Sequence, residues 1–267
     1  MVNQASIAFM FLSLIISFFL PIGLTIYYYK KKEISLKPVF VGVLVFFVSQ
    51  LVLRIPILQL LSTQKWYKSM EENSILISLF LGLTAGLFEE LGRFVGFKYI
   101  LKENLDRNDG IAFGIGHGGI EAILMVGITS INNIYYSFSI NSGNFDKVIA
   151  PSINQREITD AIKNQLITTP SYYFAISGVE RIFAFTLQIA LSILVLYGVK
   201  NEKFEYVVYA ILLHMIIDSP LGIMQANGVN LFLIEGYIAL TAVVAFIFIL
   251  KSKELFVENK QQVRDNW

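Results

Sequence analysis

Residues Ser74–Leu101 read SILISLFLGLTAGLFEELGRFVGFKYIL, an apolar run of 28 residues into which two adjacent glutamates, Glu89 and Glu90, and an arginine, Arg93, are set. A helix needs roughly 20 apolar residues to cross the ~30 Å hydrocarbon layer of a bilayer, so this stretch is long enough to span one. Six further runs of similar size flank it: Ala5–Tyr29, Pro38–Leu61, Gly110–Tyr135, Tyr172–Gly198, Glu205–Met224 and Asn230–Leu250. The expected fold is an all-α polytopic membrane bundle of about seven transmembrane helices, forming one transmembrane domain over residues 1–267.

Composition agrees. Of 267 residues 55% are hydrophobic and only 15% charged, against roughly 25% charged in soluble domains. The mean hydropathy is +0.62. Net charge is +1, so no global field recruits nucleic acid, and no nucleic-acid partner is expected. There is no cysteine, which excludes disulfides, thiolate metal sites and cysteine nucleophiles. The two histidines, His117 and His214, must carry any imidazole chemistry.

Charge at the ends of the runs sets a topology. No basic residue precedes the first run and Lys30, Lys31 and Lys32 follow it, so it reads as an anchor and not a cleaved signal. Thirteen of the 21 Lys and Arg, including Lys30 to Lys32, Lys260 and Arg264, then fall in segments expected to be cytoplasmic. Five, Lys65, Lys68, Lys147, Arg156 and Lys163, fall outside. That bias predicts N-out, C-in, with a long external loop over residues 136–170 and a cytoplasmic tail over residues 251–267. Within the loop Ile158, Ile162 and Leu166 recur every four residues, which predicts a short interfacial helix. Arg54, beside Pro56 near an outer end, is expected to snorkel to the headgroups. The chain is expected in a bacterial plasma membrane, with the lipid bilayer as its first partner.

An ionisable group inside a span costs several kcal/mol unless it pairs or meets water. The spans nevertheless hold Glu89, Glu90, Arg93, His117, Glu121, Glu180, Arg181, His214 and Asp218. Glu89 with Arg93, His117 with Glu121 and His214 with Asp218 are each four apart, so each pair shares a helix face. With a rise of ~1.5 Å per residue, the carboxylates and imidazoles of these stripes fall about 10 to 20 Å below one membrane surface. The stripes are expected to pack against one another around a polar cavity within residues 82–220. Glu180 and Arg181 read as a structural pair. The run Gly114-Ile115-Gly116-His117-Gly118-Gly119 matches G-x-G-x-x-G but follows no strand, so it reads as a surface for close helix approach.

Hydrolysis of a peptide bond needs an activated water, a base and a donor to the oxyanion. Two arrangements of these residues supply them. In one, His117, His214 and a carboxylate, Glu121, hold a divalent metal such as zinc, whose bound water ionises near pH 7. In the other, Glu89 or Glu90 activates water directly and the histidines orient it. Arg93 is expected to pair with one glutamate and leave the other free; Glu89 is the favoured base.

At these residues the chain resembles the YhfC family of intramembrane metalloproteases, which is related to the CAAX-processing and bacteriocin-processing membrane proteases. That superfamily shows a Glu-Glu pair followed by Arg, then Phe-x-x-x-His, then His-x-x-x-Asn or Asp. Here these read Glu89-Glu90-Leu91-Gly92-Arg93, Phe113-Gly114-Ile115-Gly116-His117 and His214-Met215-Ile216-Ile217-Asp218, between about Gly82 and Pro220. Two residues separate the pair from Arg93, where three are usual. The resemblance implies catalytic roles for Glu89, Glu90, Arg93, His117, His214 and Asp218, and hydrolysis of a membrane-bound or lipidated peptide. Buried carboxylates and histidines equally build the relay of a proton- or ion-coupled transporter, and a third reading is a catalytically silent membrane scaffold. No inverted repeat favours the transporter.

Overall fold

The computed structural model describes residues 1–31, 33–148 and 156–256. Lys32, Lys260, Arg264, residues 149–155 of the long loop and the tail beyond residue 256 lie outside the described residues. Among the described residues there is no strand.

Among the described residues ten helices follow in chain order: α1 (Gln4–Lys30), α2 (Leu36–Leu61), α3 (Lys65–Glu71), α4 (Ser74–Ile100), α5 (Arg107–Asn141), α6 (Phe145–Val148), α7 (Arg156–Thr168), α8 (Ser171–Lys200), α9 (Glu205–Ala226) and α10 (Leu231–Phe256). Seven of them, α1, α2, α4, α5, α8, α9 and α10, are long and apolar enough to cross a membrane. The protein is an integral, multi-pass helical membrane protein. The loop pattern of Ile158, Ile162 and Leu166 is realised as α7, whose Leu166 is buried while Ile158 stays exposed. The short helix α3 had no counterpart in the periodicity of the sequence.

The ends and breaks of the spans have local causes. Asn73 caps α4, its side-chain oxygen accepting from the amides of Ile75 and Leu76 at 3.1 Å. Asn230 does the same for α10 through the amide of Phe232 at 2.9 Å. Pro220 lies inside α9 and cannot donate to the Ile216 carbonyl, four residues back. The Tyr237 hydroxyl of α10 donates to that carbonyl at 2.9 Å, the way a membrane helix keeps a proline without an orphaned acceptor. In α2 the turn over Phe47–Arg54 widens to π-helix immediately before Ile55 and Pro56. Two more π turns, Gly96–Ile100 and Ile123–Gly127, interrupt α4 and α5.

The chain forms two compact units, residues 1–24 with 119–182, and residues 25–118 with 183–267. In the first, a core of Val2, Met10, Ile134, Ile140, Phe145 and Leu166 is closed by paired polar contacts. The Val2 amide donates to Asn141 Oδ1 at 2.7 Å, and Asn141 Nδ2 donates to the Val2 carbonyl at 3.0 Å. In the second, the core runs through Val45, Phe97, Phe113, Leu196, Val207 and Ile211.

Glycines bring the helices of the second unit into backbone contact. A Cβ added at Gly116 would overlap the Val39 carbonyl of α2, and one at Gly42 would overlap the Phe113 carbonyl of α5. At Gly86 it would meet the Ile211 carbonyl of α9 at 2.7 Å, and at Gly118 the Gln188 side chain of α8 at 2.9 Å. Such close approach is how membrane helices associate when lipid offers no hydrophobic driving force. Gly116→Ala is therefore expected to destabilise the protein by ~1–3 kcal/mol, as overpacking does. Gly236→Ala, with nothing within 4 Å of the added atom, is expected to be neutral or slightly stabilising. Thermal unfolding of both variants in detergent, followed by Trp fluorescence, checks the pair.

Candidate active site

α4 turns Glu89, Glu90 and Arg93 inward, at 5%, 0% and 0% exposure. A guanidinium held out of water must place its N–H groups on acceptors. Arg93 does so on two helices: Nη1 donates to Glu90 Oε1, Nη2 to Gln188 Oε1 of α8, and Nε to Ser192 Oγ at 3.2 Å. Glu89 Oε2 lies 3.5 Å from Nη2.

The two glutamates then part company. Glu90 Oε1 faces His214 Nδ1 of α9 at 2.7 Å, and Glu90 Oε2 is buried without a hydrogen-bond partner. Glu89 Oε2 faces His117 Nε2 of α5 at 2.9 Å, while Gln50 Nε2 of α2 donates to Glu89 Oε1 at 2.6 Å. Gln188 Nε2 also donates to Glu89 Oε2, at 3.3 Å. The His117 ring is fixed between Phe46, edge-on at 5.1 Å, and Phe113, stacked at 6.1 Å. On the far side of His214, Nε2 faces Asp218 Oδ2 at 3.3 Å, and the Asp218 side chain is 43% exposed. Glu89, Glu90, Arg93, His117, His214 and Asp218 thus form one connected cluster, open to the surroundings at Asp218.

Two readings from the sequence change. His117 and Glu121 do not act as a pair: Glu121 accepts from Arg181 Nη1 at 3.2 Å, and Arg181 also donates to its neighbour Glu180. Glu180 and Arg181 do pair, and Arg181 extends that pair to Glu121 of α5. Arg54 does not snorkel outward. Its Nη1 donates to Gln50 Oε1 at 3.0 Å, its Nη2 to the Leu81 carbonyl at 2.9 Å and its Nε to Thr84 Oγ1 at 3.3 Å.

Gln50, Gln188 and Ser192 escaped the reading from sequence because neutral amides and hydroxyls do not stand out as charges do. The usable signal was their spacing: Gln50 to Arg54 and Gln188 to Ser192 are each four apart on apolar spans.

Imidazoles and carboxylates are the donors a zinc ion takes. Their arrangement here does not make such a centre. Among the described residues no three His, Asp or Glu side chains are gathered to hold an ion, so the set His117, His214 and Glu121 is not assembled. Three of the four histidine ring nitrogens lie against carboxylates, and Arg93 competes for the same oxygens.

Seven membrane-crossing helices, five of which contribute to a buried carboxylate–imidazole cluster, define a multi-pass membrane protein with a polar centre set inside its spans. The chain belongs to the YhfC intramembrane metalloprotease family, whose model matches residues 16–238. It is 38% identical over 258 residues to the uncharacterized membrane protein YhfC of Bacillus subtilis (strain 168), covering 96% of this chain and 100% of that relative. No solved structure gives a significant match.

Breaking one half of a buried ion pair costs ~3–5 kcal/mol because the other charge is left uncompensated. Arg93→Met is expected to lose stability on that scale, and Arg93→Met with Glu90→Gln to recover part of it. Denaturation midpoints of the single and double variants in detergent check this.

Proposed function

We propose that the protein is an intramembrane endopeptidase in which Glu89 activates water to hydrolyse a peptide bond of a membrane-embedded or lipid-linked substrate. The observation that carries this reading is the contact of Glu89 with His117 beside a separate Glu90–His214–Asp218 chain. The two adjacent glutamates are thereby given different work. Glu90, wholly buried and bound to Arg93, holds the helices and orients His214. Glu89, slightly exposed and held mainly by neutral groups, takes the proton of water. His117 Nε2–H orients the Glu89 carboxylate.

The hydroxide adds to the substrate carbonyl, and the oxyanion that forms replaces Asp218 as the acceptor of His214 Nε2–H. When the C–N bond breaks, the departing amine takes the proton from Glu89. Each part has a known scale: general base catalysis is worth about 10²–10⁴-fold and one oxyanion donor about 10²–10³-fold.

Access from the bilayer is supported by an apolar groove of about 540 Å³ between α2 and α4, lined by Leu44, Val48, Ser49, Leu91, Gly92 and Val95 among others. Ser49 precedes Gln50 and Gly92 lies one turn from Glu89, so an apolar segment lying in the groove runs alongside the cluster. The family description names a metal. Since the donors are not gathered as a metal centre, direct activation by Glu89 is the scheme the geometry favours.

Cleavage of a panel of fluorogenic single-span peptides by the protein in proteoliposomes tests the reading. Glu89→Gln and His117→Ala are expected to lower kcat by about 10²–10⁴-fold while remaining folded in detergent. Undiminished cleavage by both would reject it. Elemental analysis of the same preparations separates the two schemes: activity without bound metal supports Glu89 alone, and one equivalent of zinc that is lost in His117→Ala replaces it with metal activation.

A further inference from the structure

The oxygen and nitrogen of a glutamine amide are interchangeable in shape, so which end faces a carboxylate is set by the rest of its hydrogen bonds. Around Glu89 two arginines set it. A guanidinium carries five N–H donors and no acceptor, so whatever it touches must present an oxygen. Arg54 Nη1 donates to Gln50 Oε1 at 3.0 Å, which turns the Gln50 NH2 onto Glu89 Oε1 at 2.6 Å. Arg93 Nη2 donates to Gln188 Oε1, which turns the Gln188 NH2 onto Glu89 Oε2 at 3.3 Å. The same lock occurs twice, on helices α2 and α8, and closes on both oxygens of one carboxylate.

We propose that Gln50 and Gln188 are positioning residues that clamp the Glu89 carboxylate, and that Arg54 acts on Glu89 through Gln50. Arg54 is itself anchored on α4 by the Leu81 carbonyl at 2.9 Å and Thr84 Oγ1 at 3.3 Å, so its guanidinium is held one residue away from the base. The π turn over Phe47–Arg54 includes both Gln50 and Arg54. Amide donors orient a carboxylate without cancelling its charge, whereas a guanidinium in direct bidentate contact would cancel it. Glu89 therefore stays an acceptor at both oxygens with a lone pair left for water, while Glu90 takes the closer contact with Arg93.

The inference rests on the reading of Glu89 as the base, and its test separates the two. The first measurement needs no turnover: infrared spectra of the full-length protein in detergent, with the Glu89 carboxylate band assigned by its loss in Glu89→Gln. In Gln50→Met and in Arg54→Met that band is expected to shift, and in Arg54→Lys, which keeps a donor-only cation facing Gln50 Oε1, to stay in place. An unmoved band in both Met variants overturns the proposal. The second measurement is cleavage of the single-span peptides in proteoliposomes. Gln50→Met and Arg54→Met are expected to lower kcat about 10²-fold, the scale of a misplaced reacting group, with KM within a factor of two, and Arg54→Lys to restore most of it. A loss that appears in KM alone, or one that Arg54→Lys does not relieve, overturns the positioning role. A band that shifts in the Met variants, together with a wild type that cleaves none of the peptides, leaves the clamp standing and removes the protease reading. Should Gln50→Met fail to fold, the comparison of Arg54→Met with Arg54→Lys decides by the same two readouts.

Discussion

A guanidinium inside a hydrocarbon span must find acceptors for its N–H groups within the protein, and Arg93 finds them on two helices. Its partners recruit the rest. Glu90 reaches α9 through His214, Glu89 reaches α5 through His117 and α2 through Gln50, and Gln188 and Ser192 belong to α8. Five spans thus meet around one buried positive charge. An unmet donor at any of these points costs more than the bond it would have made, so the network is specified by what it must avoid.

Charge alone does not bring helices within reach of one another. Glu89 and His117 touch at 2.9 Å where Gly116 and Gly42 let α2 and α5 pack backbone to backbone, Gly96 brings α4 against Phe113 of α5 and Gly86 lets α4 settle against the Ile211 carbonyl of α9. A run of glycines around a histidine, which superficially resembles a nucleotide-binding fingerprint, serves here to remove side-chain bulk from a crowded crossing. The proline of α9 is accommodated by the same proximity, since Tyr237 is near enough to satisfy the Ile216 carbonyl.

The seven spans were legible because their length and apolarity are fixed by the bilayer and not by their neighbours. The cluster was legible where helical spacing determines contact, as for Glu89 with Arg93 and His214 with Asp218. It was not legible where spacing only permits contact: His117 and Glu121 share a face, yet each is bound to a different partner. Arg54 was misread because its position near a proline suggests an outer end, while a π turn and acceptors on α4, the Leu81 carbonyl and Thr84, draw it inward. Neutral residues such as Gln188 carry no energetic anomaly in the sequence; their role exists only once an arginine and a carboxylate stand on either side.

The two imidazoles differ in what surrounds them, and that difference argues for different tasks. His214 has a carboxylate at each ring nitrogen, Glu90 at 2.7 Å and Asp218 at 3.3 Å, so two hydrogens must be shared among the three groups for both contacts to be hydrogen bonds. His117 has one such contact and a second nitrogen, Nδ1, buried without a partner, so a single hydrogen on Nε2 suffices. His117 is thus suited to hold one orientation of the Glu89 carboxylate, and His214 to link the buried Glu90 to the partly exposed Asp218.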